Sequence, residues 1–117
     1  MANHKVDRIA EDIRRELTDV FRTLRDSRIS GMLSIVKIDL SRDLSFCKVY
    51  VSSMDGFASA KRSVEGLNSA AGYIRREIGM RLEIRTSPKF SFVADDSIEH
   101  SADIARILNR LSDDRDA

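Results

Sequence analysis

Arg75 and Arg76 stand side by side just beyond Gly72, and Lys61, Arg62, Arg85 and Lys89 occupy the flanking segments. Arginine grips phosphate through a planar fork of N–H donors. The first turn of a helix adds free backbone N–H groups and the positive end of its dipole. A chain break near Gly72 would bring these two features together: a fresh helix start with two arginines just after it. Arg85 and Lys89, two pleat periods apart on a following strand, would then flank the same groove. Aromatic side chains for base stacking are few: Phe46 and Tyr50, expected on an outer sheet face, and Tyr73 after the break. That balance favours contacts to backbone and shape over reading of individual bases.

Catalytic chemistry has no comparable constellation. His4 and His100 lie far apart at element ends. Asp39 and Asp43 bracket a turn, and Asp95 and Asp96 sit where a helix N-terminus favours negative charge. There is no phosphate-binding glycine loop, dinucleotide fingerprint, nucleophile elbow or zinc motif. The single cysteine, Cys47, excludes an internal disulfide and a cysteine-cluster metal site. Its alternation with valines marks it as a small buried hydrophobe. The expectation is a binding protein with no catalytic residue, metal or cofactor.

Charge alone first argues against nucleic acid: 20 Lys and Arg against 19 Asp and Glu give a net charge of +1. The total conceals an asymmetry. Residues 56–90 carry seven basic and three acidic side chains, whereas residues 91–117 carry three basic and seven acidic. A basic middle is followed by an acidic end. The N-terminal MANHKVDRIAED is charged where a signal peptide needs an apolar core, and no apolar run approaches the roughly 20 residues of a membrane span. The expectation is a cytoplasmic monomer without a membrane partner.

The elements that position these residues follow from periodicity. Val6, Ile9, Ala10, Ile13, Leu17, Val20, Phe21 and Leu24 form one helical stripe, with Arg8/Asp12, Glu11/Arg15, Arg15/Asp19 and Arg22/Asp26 spaced to pair on the other faces. MLSIVKIDL, with Val36, Ile38 and Leu40 on one face, and LSFCKVYVS read as strands. They join across Ser41-Arg42-Asp43 as an antiparallel hairpin. The helical period returns unbroken at Phe57, Ala60, Val64, Leu67, Ala71, Ile74 and Ile78, yet GLNSAAG (66–72) is rich in poor helix formers. The conflict predicts a bend near Gly72. Gly79 would close the second half, and RLEIRTSPKFSFV would be a third strand, with Leu82 and Ile84 on one face. Pro88 interrupts that strand, which implies an edge position or a bulge there. Asp95-Asp96-Ser97 opens a last helix, with Asp96 and Glu99 at capping-box spacing and Ile104, Ile107, Leu108 and Leu111 as its inner stripe. The order is α-β-β-α-α-β-α, an α+β fold with a three-stranded sheet and helices on one face. The whole chain forms one domain, with an ordered core from about residue 5 to 111 and a frayed acidic tail at 112–117.

The segments RIAEDIRRELTDVF, KIDLSRDLSFCKVYVS, SAAGYIRREIG and RLEIRTSPKFSFVADDS, in this order and spacing over residues 5–111, resemble the ribosome-binding factor A family. The resemblance implies a type II KH-like domain, α-β-β-α-kink-α-β with a C-terminal helix. Ordinary KH domains hold nucleic acid at a Gly-x-x-Gly loop, and no two glycines here are three apart. The family has an Ala-x-Gly kink instead, matched by Ala70-Ala71-Gly72. The resemblance further implies non-enzymatic binding to the free, immature small (30S) ribosomal subunit and its 16S rRNA. A role in 5′-end rRNA processing and in cold adaptation comes with it, alongside other assembly factors. The expected RNA-binding set is Lys61, Arg62, Ala70, Ala71, Gly72, Arg75, Arg76, Arg85 and Lys89, with Arg8, Arg15 and Arg22 as extra contacts. Where family members have Asp-Pro-Arg after the first helix, this chain has Asp26-Ser27-Arg28, which implies a looser corner. The rival reading is a protein–protein adaptor of the same fold, working through its first helix or outer sheet face without touching RNA.

Overall fold

The computed structural model describes residues 4–97 and 104–111. The elements run α1 (His4–Thr23), β1 (Leu33–Leu40), β2 (Phe46–Ser53), α2 (Phe57–Ser69), α3 (Ala71–Leu82) and β3 (Lys89–Ala94), and residues 104–111 are again helical. β2 lies at the centre of the sheet, antiparallel to β1 and parallel to β3. A parallel neighbour needs a long crossover, which α2 and α3 supply. The alternation of β2 buries Cys47, Val49 and Val51 toward the helices, where Phe90 and Phe92 of β3 join them. Ile13, Leu17 and Val20 of α1, Leu67 of α2 and Ile74 and Ile78 of α3 close the core without solvent exposure. Each such side chain contributes roughly 1.5–3 kcal/mol of burial.

The hairpin forms as its sequence dictates, with a longer turn. Leu44 takes a left-handed conformation (φ 64°). Asp43 Oδ1 accepts from the hydroxyls of Ser41 (2.7 Å) and Ser45 (2.6 Å) and from the Ser45 backbone N–H (3.1 Å). These three donors hold its carboxyl at about 2, well below the usual value of 3.8. In β1 one expectation fails. The register with β2 shifts between Ile35 and Lys37, so Val36 sits at a bulge and is 39% exposed, while Leu33, Ile35, Ile38 and Leu40 pack on the core. A bulge adds one residue and reverses the alternation, so Val36 leaves the face of Ile38 and Leu40. Arg14 of α1 donates to the Ile35 carbonyl at the shift (2.6 Å).

The helix pair breaks at Ala70 (φ −94°, ψ 7°), two residues before Gly72. Gly72 lies inside α3, with open space where a Cβ would stand. The end of α3 also differs from expectation. Gly79 does not stop it; the helix runs on to Leu82 and ends at Glu83, which is left-handed (φ 53°). Residues 83–88 turn back over the helix, with the Ile84 N–H donating to the Gly79 carbonyl (3.3 Å). A Cβ at Gly79 would stand 3.4 Å from Ser87 Cβ, an ordinary van der Waals contact. The third strand therefore starts at Lys89. Pro88 is buried just before it, where its missing N–H takes nothing from the ladder, and β3 is an edge strand as expected.

Ile104, Ile107, Leu108 and Leu111 are 45–60% exposed. The expected inner stripe of the last helix thus faces away from the core. The cap expected from Asp96 and Glu99 falls partly on Glu99, which is outside the described residues, as are His100 and the tail at 112–117. Asp95 Oδ2 instead accepts from both the backbone N–H (3.2 Å) and the hydroxyl of Ser97.

Candidate nucleic-acid interface

Three of the predicted arginines converge. Arg75 and Arg76 on α3 and Arg85 in the 83–88 turn line one open groove of about 800 Å³, floored by Gly79, Met80, Ile84 and Ser87. The turn positions this cluster: Arg75 Nε donates to the Ser87 carbonyl (2.9 Å), which fixes the guanidinium and leaves its two terminal nitrogens for other acceptors. Among the described residues, no carboxylate stands within ion-pair distance of Arg75, Arg76 or Arg85. Ser87 Oγ is buried there with no hydrogen-bond partner. Three guanidinium groups without a carboxylate partner, around a partly apolar floor, can take up phosphate oxygens bidentately.

The remaining predicted residues lie elsewhere. Lys89 does not share a strand with Arg85. It begins β3 on the side opposite buried Phe90, so it faces outward beside Phe46. Arg85 precedes the strand, in the turn, and the expected pleat relation between the two is lost. Lys61 and Arg62 are exposed on α2, with Lys61 Nζ 5.7 Å from the Phe57 ring centroid. Ala70, Ala71 and Gly72 form the junction, but not as an open helix start. Backbone N–H groups at the Ala70 cap donate to the carbonyls of Gly66, Leu67 and Asn68. The N–H groups at the break itself are therefore engaged by carbonyls of α2. On α1, Arg8, Arg15 and Arg22 are all exposed. Arg15 lies 3.2 Å from Asp12, and Arg22 lines a second groove with Arg14 and the loop before β1.

Part of the basic surplus is consumed internally. Arg81 reaches back to α1, where Nη1 lies 2.5 Å from Asp19 and 3.3 Å from Glu16. Its hydrogen bond holds the Asp19 carboxyl below its ordinary value. Asp19 is thus tied across helices and not to Arg15. Cys47 is also out of play, since burial pushes its thiol up to about 12.

Sequence reasoning missed the residues that fix α2 against the sheet and the loop before β1. Asn68 is one: its Nδ2 donates to the Phe92 carbonyl (3.1 Å) and its Oδ1 accepts the Phe92 N–H (2.9 Å). Gly66 is another, because a Cβ there would meet Ile29 Cγ1 at 2.7 Å. Buried Ser63 accepts the Ser30 backbone N–H (2.9 Å). The corner at 26–28 is correspondingly tight, contrary to expectation. Arg28 donates from its backbone N–H (2.9 Å) and from Nη2 (2.7 Å) to Asp26, and from Nη2 to Ser69 Oγ (3.2 Å). An ion pair with a backbone contact replaces the rigidity of a proline. Met80 had a readable signal: it falls outside the Ile74, Ile78, Leu82 stripe and is 68% exposed.

Among the described residues, one three-stranded sheet with helices on one face and a bent helix pair in place of a glycine loop define a KH-like α+β domain. The chain belongs to the ribosome-binding factor A family, whose family model matches residues 5–108. It is 43% identical over 109 residues to Ribosome-binding factor A of Acetivibrio thermocellus, covering 92% of this chain and 89% of that one. The crystal structure of ribosome-binding factor A from Thermus thermophilus superposes with a TM-score of 0.67 at 21% identity, over 76% of this chain and 93% of that one. Coordinates of the Thermus thermophilus factor fitted into a cryo-electron microscopy map of a 30S complex give 0.61 at 23% identity, over 74% and 90%. Among the described residues, no helix is long and apolar enough to cross a membrane.

Proposed function

We propose that this chain binds immature small ribosomal subunits, holding 16S rRNA phosphates in the groove of Arg75, Arg76 and Arg85, and so promotes subunit maturation. The observation that carries this reading is the convergence of three arginines with no carboxylate partner. The Thermus relative fitted into a 30S complex supports the choice of partner. Lys61, Arg62 and the Ala70-Ala71-Gly72 junction extend the contact along the helix pair, with Arg8, Arg15, Arg22 and Lys89 as peripheral charges. The factor acts as a cytoplasmic monomer by binding, without catalysis. The processing of the rRNA 5′ end and growth in the cold depend on the subunit conformation it holds.

Arg75→Glu with Arg76→Glu should abolish co-sedimentation with precursor small subunits while leaving the fold intact by circular dichroism. Undiminished co-sedimentation would remove the groove from the interface. Three neutralised phosphates predict a slope of log affinity against log salt of roughly −2 to −3. The adaptor reading is favoured by one observation, the exposed Ile104, Ile107, Leu108 and Leu111 stripe. Ribonuclease treatment separates the two: an RNA-held complex dissolves, and a protein-held one survives.

A further inference from the structure

Among the described residues the helices pack on one face of the sheet and none on the other, and the residues on that outer face form a pattern of their own. Phe46 and Tyr50 project outward from central strand β2, with Phe46 61% exposed. The sheet register places Lys89 beside Phe46, Lys37 beside Tyr50, and Asp39 and Ser91 on either side of Lys48. The ammonium groups of Lys37 and Lys48 lie 5.6 and 5.3 Å from the Tyr50 ring centroid. Three lysines thus surround two aromatic rings about 13 Å apart along the strand, and Asp39 is the acidic residue among them.

We propose that this outer sheet face is a second RNA-binding surface, which takes a single-stranded segment by stacking bases on Tyr50 and Phe46 while Lys37, Lys48 and Lys89 neutralise its phosphates. The choice of RNA as occupant rests on the function proposed above; the location does not. A paired helix offers no base faces to a flat sheet, whereas an unpaired strand offers one at every nucleotide. The lysines over Tyr50 are compatible with stacking. A base entering over the ring displaces an ammonium, and the flexible four-carbon stem leaves that charge free to swing to the adjoining phosphate. Lysine, a mobile point charge, suits a variable backbone path, whereas the arginine groove on α3 suits fixed phosphates. The two surfaces lie on different sides of the domain and use different chemistry, so one chain can hold a shaped rRNA surface and a nearby unpaired strand together.

The chain has two tyrosines and no tryptophan, so Tyr73→Phe leaves Tyr50 as the sole emitter. Titrating that full-length variant with single-stranded oligouridine should quench its fluorescence to saturation, and a duplex RNA of equal length should quench far less. Phe46→Ala with Tyr50→Ala should weaken oligouridine binding at least tenfold, followed by fluorescence anisotropy of a labelled oligonucleotide. Tyr50→Phe, which keeps the ring, should bind as the parent does and controls for folding. Arg75→Glu with Arg76→Glu should leave oligouridine binding unchanged even as it releases the protein from subunits. Failure of the arginine reading and failure of this one therefore appear in different assays. Equal quenching by duplex, or unchanged affinity after loss of both rings, would overturn the proposal. So would loss of subunit binding in the double-alanine variant with its oligouridine affinity intact, an outcome that would assign the face to a protein.

Discussion

The helix pair meets its surroundings in opposite ways along its length. Around Gly66 everything is engaged: Ile29 packs where a side chain would stand, Ser63 and Ser69 bond the incoming loop, and Arg28 is clamped on Asp26. Around Arg75, Arg76 and Arg85, among the described residues, no carboxylate stands within ion-pair distance and the groove is open. The difference explains a sequence that looks self-contradictory. The poor helix formers between 66 and 70 are contact residues, and the helix gives up propensity there because tertiary bonds replace it. Better helix formers follow in α3, where Arg75 and Arg76 line the open groove and no carboxylate among the described residues pairs with them. Rigidity is concentrated in one half of the pair and availability in the other.

Gly66→Ala tests the engaged half most severely. Its Cβ would collide with the branched Ile29 side chain and approach Asp26 Oδ2 at 3.2 Å. A net loss of about 1–3 kcal/mol is expected despite the better helix propensity of alanine, seen as a lower urea midpoint with unchanged slope. Asn68→Ala comes next. Two backbone groups of Phe92 lose their partners, at a cost of about 1–2 kcal/mol, and Asn68→Asp should restore only the bond from the Phe92 N–H. On the open half the sign reverses. Gly72→Ala meets nothing within 4 Å, so the melting temperature should rise by the equivalent of about 0.5–1 kcal/mol. A fall instead would show that the start of α3 needs a backbone only glycine provides.

The smallest effect is one of pH. The Arg28 side chain holds the Asp26 carboxyl at about 2, against 3.8 for the free group. A depressed carboxyl stabilises the fold fully above its unfolded value and loses that contribution as pH falls through its folded value. Asp26→Asn should therefore lower stability slightly at neutral pH and flatten the acid limb between 3.8 and about 2. An acid limb identical to that of the parent would mean the corner is held by packing on Gly66 alone.

Much of this architecture was legible in the chain. The α1 stripe, the Cys47-Val49-Val51 alternation and the hairpin all follow from short-range periods that tertiary contacts reinforce. The end of α3 misled because Gly79 and the Leu82/Ile84 alternation imitate a stop and a strand. The true signal was that Leu82 continues the Ile74, Ile78 spacing. The bulge at Val36 was hidden because strand period alone does not reveal an added residue in one partner. Of the candidate site, Arg75, Arg76 and Arg85 came together as expected. Lys89 did not, since its placement depends on where β3 begins, and Arg81 was consumed by acids some 60 residues away in sequence. Pairings at that range leave no local trace.

The paired bonds between Asn68 and Phe92 have a consequence for the molecule in a crowded cell. β3 is the outermost strand on its side, and an outermost strand is a template on which any extended peptide can continue the sheet. An amide side chain offers the same donor and acceptor that an incoming strand would present, and at Phe92 it occupies both. α2 thereby blunts the middle of that edge against strand addition by another chain. At Phe92 no backbone donor or acceptor is then left for a strand of a second copy to pair with.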